Sequence, residues 1–472
     1  MNRVFISAAH KSSGKTTVCI GICAALRTRG HAVQPFKKGP DYIDPLWLAL
    51  AAGRPCYSLD AYLMGEHEIR HELALRSRGA DLAVIEGNKG LYDGLDLDGS
   101  NSNAALAALL AAPVVLVIDA RGMTRGIAPL ILGYQAFDAN IRIAGVILNQ
   151  LGGPRHEAKL RAVIEHYTDV PVLGAIQHDE LMAISERHLG LVPSNEAQTA
   201  GARVDAIAKR VAAQVDLERL LAIAGQATQL PAPLAPPAAR GRQGPSVRIG
   251  IARDAAFGFY YPGDIDALRA ACADLVYFDT LHDTVLPAFD GLFIGGGFPE
   301  TQLDALSANR TLRSVLRAGI EAGMPVYAEC GGLMYLARGI EWKGRAAAMV
   351  GAIPADIVMH DRPVGRGYVH LRETGLCPWP RAGAAGAPVI RAHEFHYSSV
   401  ENLPPAMAFA YTVERGHGID GRHDGLIYKN VLASYAHLRD VGTHHWAARF
   451  VDFVRRCKID QRPRPSLAKG YA

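Results

Sequence analysis

The sequence predicts two consecutive α/β domains, each built around a mostly parallel sheet. In the first half, short β-branched runs alternate with helix-length segments, a pattern that indicates right-handed crossovers in a doubly wound sheet. A stretch rich in Pro, Gly and Ala then interrupts this pattern, and strand-like runs resume beyond it. The predicted organisation is a first domain at 1–224, a linker at 225–245, a second domain at 246–458 and a tail at 459–472.

The predicted strands share runs of β-branched or large apolar residues. In the first domain they are Val4–Ala8, Val33–Phe36, Leu82–Ile85, Val114–Ile118, Ile143–Leu148 and Val172–Ile176. Between them lie helical patterns such as Lys15–Arg29 and Glu157–Tyr167. In the second domain the predicted strands are Val247–Ile251, Leu275–Phe278, Gly291–Ile294 and Val326–Ala328. Because ligands of open parallel sheets bind beyond the carboxyl ends of the strands, the segments that follow these strands are the candidate functional sites.

Composition excludes several classes of protein. The net charge of the 472 residues is +4 with both signs intermixed, and aromatic residues are scattered, which argues against a nucleic-acid partner. The longest apolar stretch, Ala104–Ile118, is shorter than the roughly 18 residues of a membrane span, and no secretory signal is predicted. The seven cysteines include no CxxC pair, so neither a disulfide framework nor a zinc site is expected. We therefore expect a cytoplasmic protein with no membrane partner.

A phosphate-binding loop is predicted where the first strand passes into a helix. Residues 8–17 read AAHKSSGKTT. In this setting backbone N–H groups cradle phosphate oxygens, Lys15 reaches the β and γ phosphates of ATP, and the Thr16 hydroxyl reaches Mg²⁺. Ala9 stands where the loop usually has its first glycine, so this turn is expected to avoid a strongly positive φ. The predicted nucleotide contacts are Ser12, Ser13, Gly14, Lys15, Thr16 and Thr17, with Asn149, after a later strand, for the adenine edge.

Two acid-bearing segments follow the second and third predicted strands, and they read KKGPDYID and EGNKGLYDG. Since the carboxyl ends of parallel strands meet at one edge, both should converge with the phosphate loop. Asp44 and Glu86, together with Thr16, are the predicted Mg²⁺ ligands. Asp41, Asp44 and Asp93 are the predicted substrate contacts.

A cysteine nucleophile is predicted on a tight turn of the second domain. Residues 326–335 read VYAECGGLMY, which places Cys330 between a strand and a helix. A nucleophile on such a turn is exposed, and the helix N-terminus favours its thiolate form. Cys330 is therefore the candidate nucleophile of a second chemical site.

The partners of this nucleophile are predicted on both sides of it in the chain. Upstream, IGGGFPE follows another predicted strand, and its glycines allow backbone N–H groups to point at a developing oxyanion. The predicted oxyanion donors are Gly296, Gly297 and Gly331. Downstream, SYAHLR offers His437 as the base that takes the proton from Cys330.

Seven segments together resemble one family, cobyrinic acid a,c-diamide synthase and its relatives. They are the phosphate loop, VQPFKKGPDYID, LYDG, FIGGGFPE, AECGGLMY, HEFHYS and SYAHL, which occur in family order over nearly the whole chain. The resemblance implies a dethiobiotin-synthetase-like first domain and a class I glutaminase second domain. It further implies that ATP, with Mg²⁺, phosphorylates acetate side chains of a tetrapyrrole polycarboxylate, and that ammonia from glutamine displaces the phosphate to give amides.

The chain departs from the class I glutaminase pattern at one position. Many of these enzymes have a glutamate two residues after the histidine, where this chain has Arg439. The sequence therefore assigns Cys330 and His437 without a third acid. A dyad can suffice because the thiolate is the nucleophile.

Alternatives concern the substrate and the class of protein. The macrocycle that the resemblance implies is cobyrinate or hydrogenobyrinate, in cobalamin biosynthesis. The phosphate loop also looks like that of relatives associated with amidated sirohaem, so a sirohaem or sirohydrochlorin substrate is the alternative, and a homodimer stays open. An ATP-switched partitioning protein is a different class of function. Those proteins have a signature lysine five residues before the loop lysine, where this chain has His10, and they lack a glutaminase domain.

Overall fold

The structure is a computed structural model, and it describes residues 1–187, 190–197, 199–230, 244–381 and 388–460. The chain forms two compact units, Met1–Pro237 and Ala238–Ala472. The predicted linker and tail fall largely outside the described residues, and the predicted domain boundaries stay predictions.

The first unit is built on a seven-stranded sheet in which all paired strands are parallel. The strands are β1 (Arg3–Ala8), β2 (Val33–Lys38), β3 (Tyr57–Leu59), β4 (Leu82–Glu86), β5 (Val114–Asp119), β6 (Ile143–Leu151) and β7 (Val172–Gln177). Their order is β3-β2-β4-β1-β5-β6-β7. Because β4 lies between β1 and β2, the ends of these three strands are neighbours. A short pair, β8 (Glu186–Arg187) and β9 (Gly190–Leu191), follows.

Helices cover this sheet. They are α1 (Lys15–Thr28), α2 (Ile43–Ala52), α3 (Glu66–Arg76), α4 (Asn103–Leu109), α5 (Ile127–Phe137), α6 (Pro154–Tyr167), α7 (Ala200–Gln214) and α8 (Leu217–Gly225), with a 3-10 turn at Glu180–Met182. The helix that carries the phosphate loop, α1, is buried along almost its whole length. It packs so closely on α7 that a Cβ at Gly21 would lie 2.2 Å from Val211.

The second unit contains a nine-stranded mixed sheet of order β12-β10-β13-β15-β24-β23-β22-β19-β20. The strands of this unit are β10 (Val247–Ala252), β11 (Phe257–Phe259), β12 (Ala273–Phe278), β13 (Gly291–Ile294), β14 (Gly296–Gly297), β15 (Val326–Glu329), β16 (Gly339–Trp342), β17 (Arg345–Ala348), β18 (Asp356–Met359), β19 (Gly365–Glu373), β20 (Ile390–His396), β21 (Ser398–Glu401), β22 (Ala408–Arg415), β23 (His423–Tyr428) and β24 (Val431–Ser434). The helices are α9 (Pro262–Ala270), α10 (Leu303–Ala308), α11 (Arg310–Glu321), α12 (Gly331–Leu336) and α13 (Trp446–Asp460), with a 3-10 turn at Pro299–Gln302.

The mixed sheet is covered on both faces. Leu292 and Ile294 belong to one buried cluster and Phe293, between them, to another, as expected when successive side chains point to opposite faces. Its parallel part, β12 to β24, contains the predicted strands, and its antiparallel part was not predicted. The pairing of β15 with β24 brings the chain after Ser434 to the edge where β15 ends.

The predicted α/β fold class is confirmed in both units. No helix within the described ranges is both long enough and apolar enough to cross a bilayer.

Candidate active sites

The phosphate loop of the first unit has the geometry of an anion cradle. Ser12 and Gly14 have left-handed φ values of 64° and 84°, and Ala9 is not among the described residues with positive φ, as predicted. Ser13 Oγ donates to the carbonyl of His10 at 2.8 Å, which closes the loop on itself. Lys15 Nζ donates to the carbonyl oxygen of Lys89 at 2.7 Å. The loop therefore leads directly into α1 with its lysine held beside the segment that follows β4.

Asn149 supports the loop from behind. Its Nδ2 donates to the carbonyl of Ser13 at 2.9 Å, and a Cβ added at Gly14 would lie 2.2 Å from the same nitrogen. The amide N–H group is therefore committed to the loop backbone. The adenine contact predicted for Asn149 stays a prediction, and it would use the side-chain Oδ1.

The acids predicted for Mg²⁺ converge on the first turn of α1. Thr16 Oγ1 donates to Glu86 Oε1 at 2.7 Å and lies 3.1 Å from Asp44 Oδ2. Between the two carboxylates lies a group that the sequence analysis missed: Lys37 Nζ is 2.6 Å from Asp44 Oδ2 and 2.8 Å from Glu86 Oε1. Lys37 is the residue paired with Glu86 across β2 and β4. The signal available in the sequence was a lysine at the end of an apolar strand run, followed within seven residues by two acids.

The charged groups of this cluster shift one another's pKa values. Burial alone would lower the pKa of Lys37, but Asp44 and Glu86 outweigh it and raise the pKa well above the usual value. Burial raises the pKa of Glu86 against the opposing effect of Lys37. For Asp44, the Lys37 charge and the hydrogen bonds outweigh burial and lower the pKa. Burial, followed by repulsion from Lys37, lowers the pKa of Lys15. Lys37 thus keeps its charge at the centre of the acids.

The residues present fit a magnesium ion. Thr16, Asp44 and Glu86 offer the oxygen ligands that Mg²⁺ prefers, and the buried Glu86 Oε2 has no hydrogen-bond partner. Over the described parts of the chain, no group of three or more His, Cys, Asp or Glu side chains is arranged to hold a metal by itself. Phosphate oxygens and water would therefore complete the coordination, as is usual for Mg²⁺ at nucleotide sites.

The other two predicted substrate acids have local hydrogen bonds. Asp41 Oδ1 accepts from the backbone N–H groups of Ile43 and Asp44, at 2.9 and 3.1 Å, and its Oδ2 lies 3.8 Å from Lys37 Nζ. Burial, then repulsion from Asp44, raises the pKa of Asp41 to about 7. Asp93 Oδ2 accepts from the N–H group of Gly90 at 2.8 Å. Both acids shape loops at the strand ends, and their contact with substrate stays a prediction.

In the second unit, Cys330 occupies the strained turn expected for a nucleophile, but its side chain is buried, at 8% exposed, so the predicted exposure was wrong. It follows β15 directly, precedes α12 and has φ 46° and ψ −101°. Its N–H group donates, at 2.7 Å, to the carbonyl of Ser434, which is the last residue of β24. Three residues beyond Ser434, the side chain of His437 interacts with that of Cys330, and this interaction raises the pKa of the imidazole. The neighbouring strands β15 and β24 therefore bring together two residues far apart in sequence.

The predicted oxyanion glycines surround this pair. A Cβ at Gly331 would lie 3.0 Å from the Gly297 nitrogen, and a Cβ at Gly296 would lie 2.7 Å from His437 Cε1. Gly296 and Gly297 pair as β14 with β11. The glycine loop thus packs against the nucleophile turn, with space for backbone alone.

A third side chain, missed by the sequence analysis, reaches the histidine. Glu329 Oε2 lies 3.3 Å from His437 Nδ1. Burial alone would lower the pKa of His437, but hydrogen bonds and charges from Cys330 and Glu329 raise it to about 10. The signal in the sequence was the acid immediately before the nucleophile, within the segment AECGGLMY.

Both units match known protein domains. Residues 5–192 match the CobQ/CobB/MinD/ParA nucleotide binding domain, and residues 248–440 match the CobB/CobQ-like glutamine amidotransferase domain. A cobyrinate a,c-diamide synthase of Magnetococcus marinus is 48% identical over 96% of this chain and 97% of its own length. One of Methanosarcina acetivorans is 42% identical over 98% of this chain and 97% of its own length. The chain belongs to the cobyrinate a,c-diamide synthase family. The resemblance drawn from the seven motifs is confirmed.

Family membership also bears on the alternatives. Partitioning proteins lack a glutamine amidotransferase domain. The alternative of an ATP-switched partitioning protein therefore does not account for residues 248–440. The roles of individual residues in this member of the cobyrinate a,c-diamide synthase family stay predictions.

Gly14→Ala should weaken ATP binding about tenfold or more. The new Cβ would sit 2.2 Å from Asn149 Nδ2 at a φ of 84°, and strain of this kind costs about 1–3 kcal/mol. Titration calorimetry with ATP measures the change. The matched control is Gly133→Ala in α5, where an added Cβ meets nothing within 4 Å. Equal ATP affinities of the two variants would contradict the prediction.

The stability of the second unit should fall between pH 6.5 and pH 10. Because folding raises the pKa of His437 to about 10, its protonation stabilises the fold fully below the unfolded-state pKa, and this stabilisation is lost as pH rises through the folded-state pKa. Each unit of difference is worth about 1.4 kcal/mol. Urea unfolding at both pH values should show a steeper loss for the wild type than for His437→Gln. Identical losses would count against the prediction.

Proposed function

We propose that this chain amidates the a and c acetate side chains of cobyrinate or hydrogenobyrinate, using ATP and glutamine, in cobalamin biosynthesis. It is a ligase of the cobyrinate a,c-diamide synthase type, with a nucleotide-binding domain and a glutaminase domain on one chain. The observation that carries the assignment is similarity over 96% of the chain to a relative with that activity. The geometry of each site supports a distinct half of the chemistry.

The first unit supplies the activation step. A carboxylate is a poor electrophile, so amide formation needs it converted to an acyl phosphate. The phosphate loop and the α1 N-terminus bind the nucleotide phosphates, and Lys15 neutralises charge on the β and γ groups. Mg²⁺, held by Thr16, Asp44 and Glu86, would neutralise further phosphate charge. Lys37, buried among the acids, orients Asp44 and Glu86 and adds a fixed positive charge beside the transferred group.

The second unit supplies nitrogen. The Cys330 thiolate attacks the side-chain amide carbon of glutamine, and the oxyanion that forms meets the N–H groups of Gly297 and Gly331. His437 passes its proton to the departing ammonia, which leaves a thioester on Cys330. Water, deprotonated by His437, then releases glutamate and restores the thiol. The ammonia displaces phosphate from the activated acid.

A cytoplasmic location is part of the proposal, since both ATP and glutamine are cytoplasmic metabolites. A homodimer stays a prediction, which light scattering of the purified protein would test.

The experiment that tests the function is mass spectrometry of products from a panel of tetrapyrrole acids. Purified protein receives ATP, glutamine and either cobyrinate, hydrogenobyrinate, sirohydrochlorin or sirohaem. We expect two carboxylates of cobyrinate or hydrogenobyrinate to become amides. Preferential amidation of sirohydrochlorin or sirohaem would transfer the assignment to that substrate class, and no amide on any acid would overturn it.

A further inference from the structure

We propose that Glu329 is the positioning residue that completes the glutaminase site: its carboxylate orients the imidazole of His437, the role that Arg439 cannot fill. This inference rests on the proposed roles of Cys330 and His437. It answers a question that the sequence raises, because the expected acid two residues after the histidine is replaced by a base.

The Glu329 carboxylate is buried, 3% exposed, and each oxygen has its own task. Oε1 accepts from the backbone N–H group of Leu438 at 3.0 Å and from the Tyr327 hydroxyl at 2.5 Å. These two donors fix the carboxylate in place and leave Oε2 facing His437 Nδ1 at 3.3 Å. The two donors therefore hold the carboxylate in a fixed position beside the imidazole ring.

This contact sets the chemistry of the imidazole. When Nδ1 donates to a carboxylate, the neutral ring carries its proton there, and Nε2 is left as the acceptor for the thiol proton. The same negative charge stabilises the imidazolium that forms when Cys330 gives up its proton. The Leu438 bond keeps the ring and the carboxylate in register, since it ties the backbone beside His437 to the same carboxylate.

Position 439 points to a different set of partners. The Arg439 guanidinium lies 4.5 Å over the ring of Tyr261, and its charge acts on the buried Asp264. Asp264 Oδ1 in turn accepts from the backbone N–H group of Asp440 at 2.9 Å. An acid at 439 would therefore meet another buried acid, whereas an arginine balances it.

The motif HEFHYS, to which the sequence analysis gave no role, supports the other side of the ring. His393 and His437 form an antiparallel bridge in which the His437 N–H group donates to the His393 carbonyl at 2.8 Å. Their rings stack with centroids 5.0 Å apart and an interplanar angle of 16°. Burial, with repulsion from His437 and Arg439, lowers the pKa of His393 well below its usual value. The catalytic ring thus lies between a neutral aromatic neighbour and one carboxylate.

The test is Glu329→Gln in the full-length protein, assayed by release of glutamate from glutamine and by synthesis from ammonium salts. We expect kcat for glutamine to fall about 10²-fold or more, with KM changed little and ammonium-driven synthesis unchanged. The limb of the pH–rate profile that belongs to His437 should move to lower pH, because its carboxylate is gone. The matched control is Tyr327→Phe, which removes one donor to the same carboxylate but keeps its charge, and should cost less than about tenfold.

Glu329→Asp keeps the charge with a shorter reach, so it should turn over slowly yet retain the wild-type pH limb. The same pH limb in the Asp and Gln variants, or wild-type kcat in the Gln variant, would overturn the inference. Loss of ammonium-driven synthesis along with glutaminase activity would do so too, since it indicates a structural role. Glutamate release needs no tetrapyrrole, so its kcat and pH–rate profile can be measured even if the proposed substrate is wrong, and only the ammonium-driven assay depends on that substrate.

Discussion

Cys330→Ala should abolish glutamine-driven amide synthesis, by about 10³-fold or more, while synthesis from ammonium salts continues. The thiolate is the bond-forming atom of the glutaminase reaction, and no other group in the turn can replace it. Carboxylate activation is assigned to residues of the first unit, Lys15, Thr16, Asp44 and Glu86, which the substitution leaves in place. The measurement is amide formation by mass spectrometry with each nitrogen source in turn.

The chain offers a close control for this substitution. Cys272→Ala also replaces a buried cysteine of the second unit with positive φ, 72° against 46° for Cys330, but far from any candidate catalytic residue in sequence. We expect the control to retain activity with both nitrogen sources. If Cys330→Ala lost ammonium-driven synthesis as well, Cys330 would be structural and the assignment as nucleophile would be wrong.

Lys15→Ala should produce the opposite separation of activities. We expect synthesis to fall about 10²-fold or more with either nitrogen source, because Lys15 supplies positive charge to the phosphates at a preorganised position. Glutamate release should persist, since Cys330 and His437 belong to the other unit. Parallel assays of amide and glutamate on the same preparation give both values.

Lys159→Ala, on the exposed face of α6, is the charge-matched control and should retain both activities. Ammonium-driven synthesis at the wild-type rate in Lys15→Ala would contradict the phosphate-loop assignment. Lys15→Ala should lose synthesis but keep glutamate release, and Cys330→Ala should lose glutamine-driven synthesis but keep ammonium-driven synthesis. A single shared active site could not produce both results.

Much of the parallel architecture could be predicted because its local signals agree. Continuous apolar runs such as Val114–Ile118 indicate buried strands, and the loop before Lys15 separates a strand from a helix. The antiparallel strands β19, β20, β22 and β23 of the nine-stranded sheet were not predicted, because polar and apolar residues are interspersed along them. For example, β19 alternates buried Val369 and Leu371 with charged, more exposed residues. Such strands are stabilised by cross-strand partners that only the folded chain reveals.

The candidate sites were predictable where chemistry and local geometry coincide, as at Cys330. Lys37 and Glu329 were missed for a common reason: each acts through a neighbour in the sheet. Lys37 meets Glu86 because β2 pairs with β4, and Glu329 meets His437 because β15 pairs with β24. Strand order is a tertiary property, so a single sequence cannot state which strand end will face which.

The adjacency of Glu329 and Cys330 changes how active and inactive relatives should be told apart. If glutaminases were recognised by an acid two residues after the histidine, this chain would be classified as inactive, because it has Arg439 there. In this chain the pattern Glu-Cys-Gly-Gly places an acid on the strand that leads to Cys330. If Glu329 orients His437 as proposed, loss of this glutamate is the substitution expected in a relative without glutaminase activity.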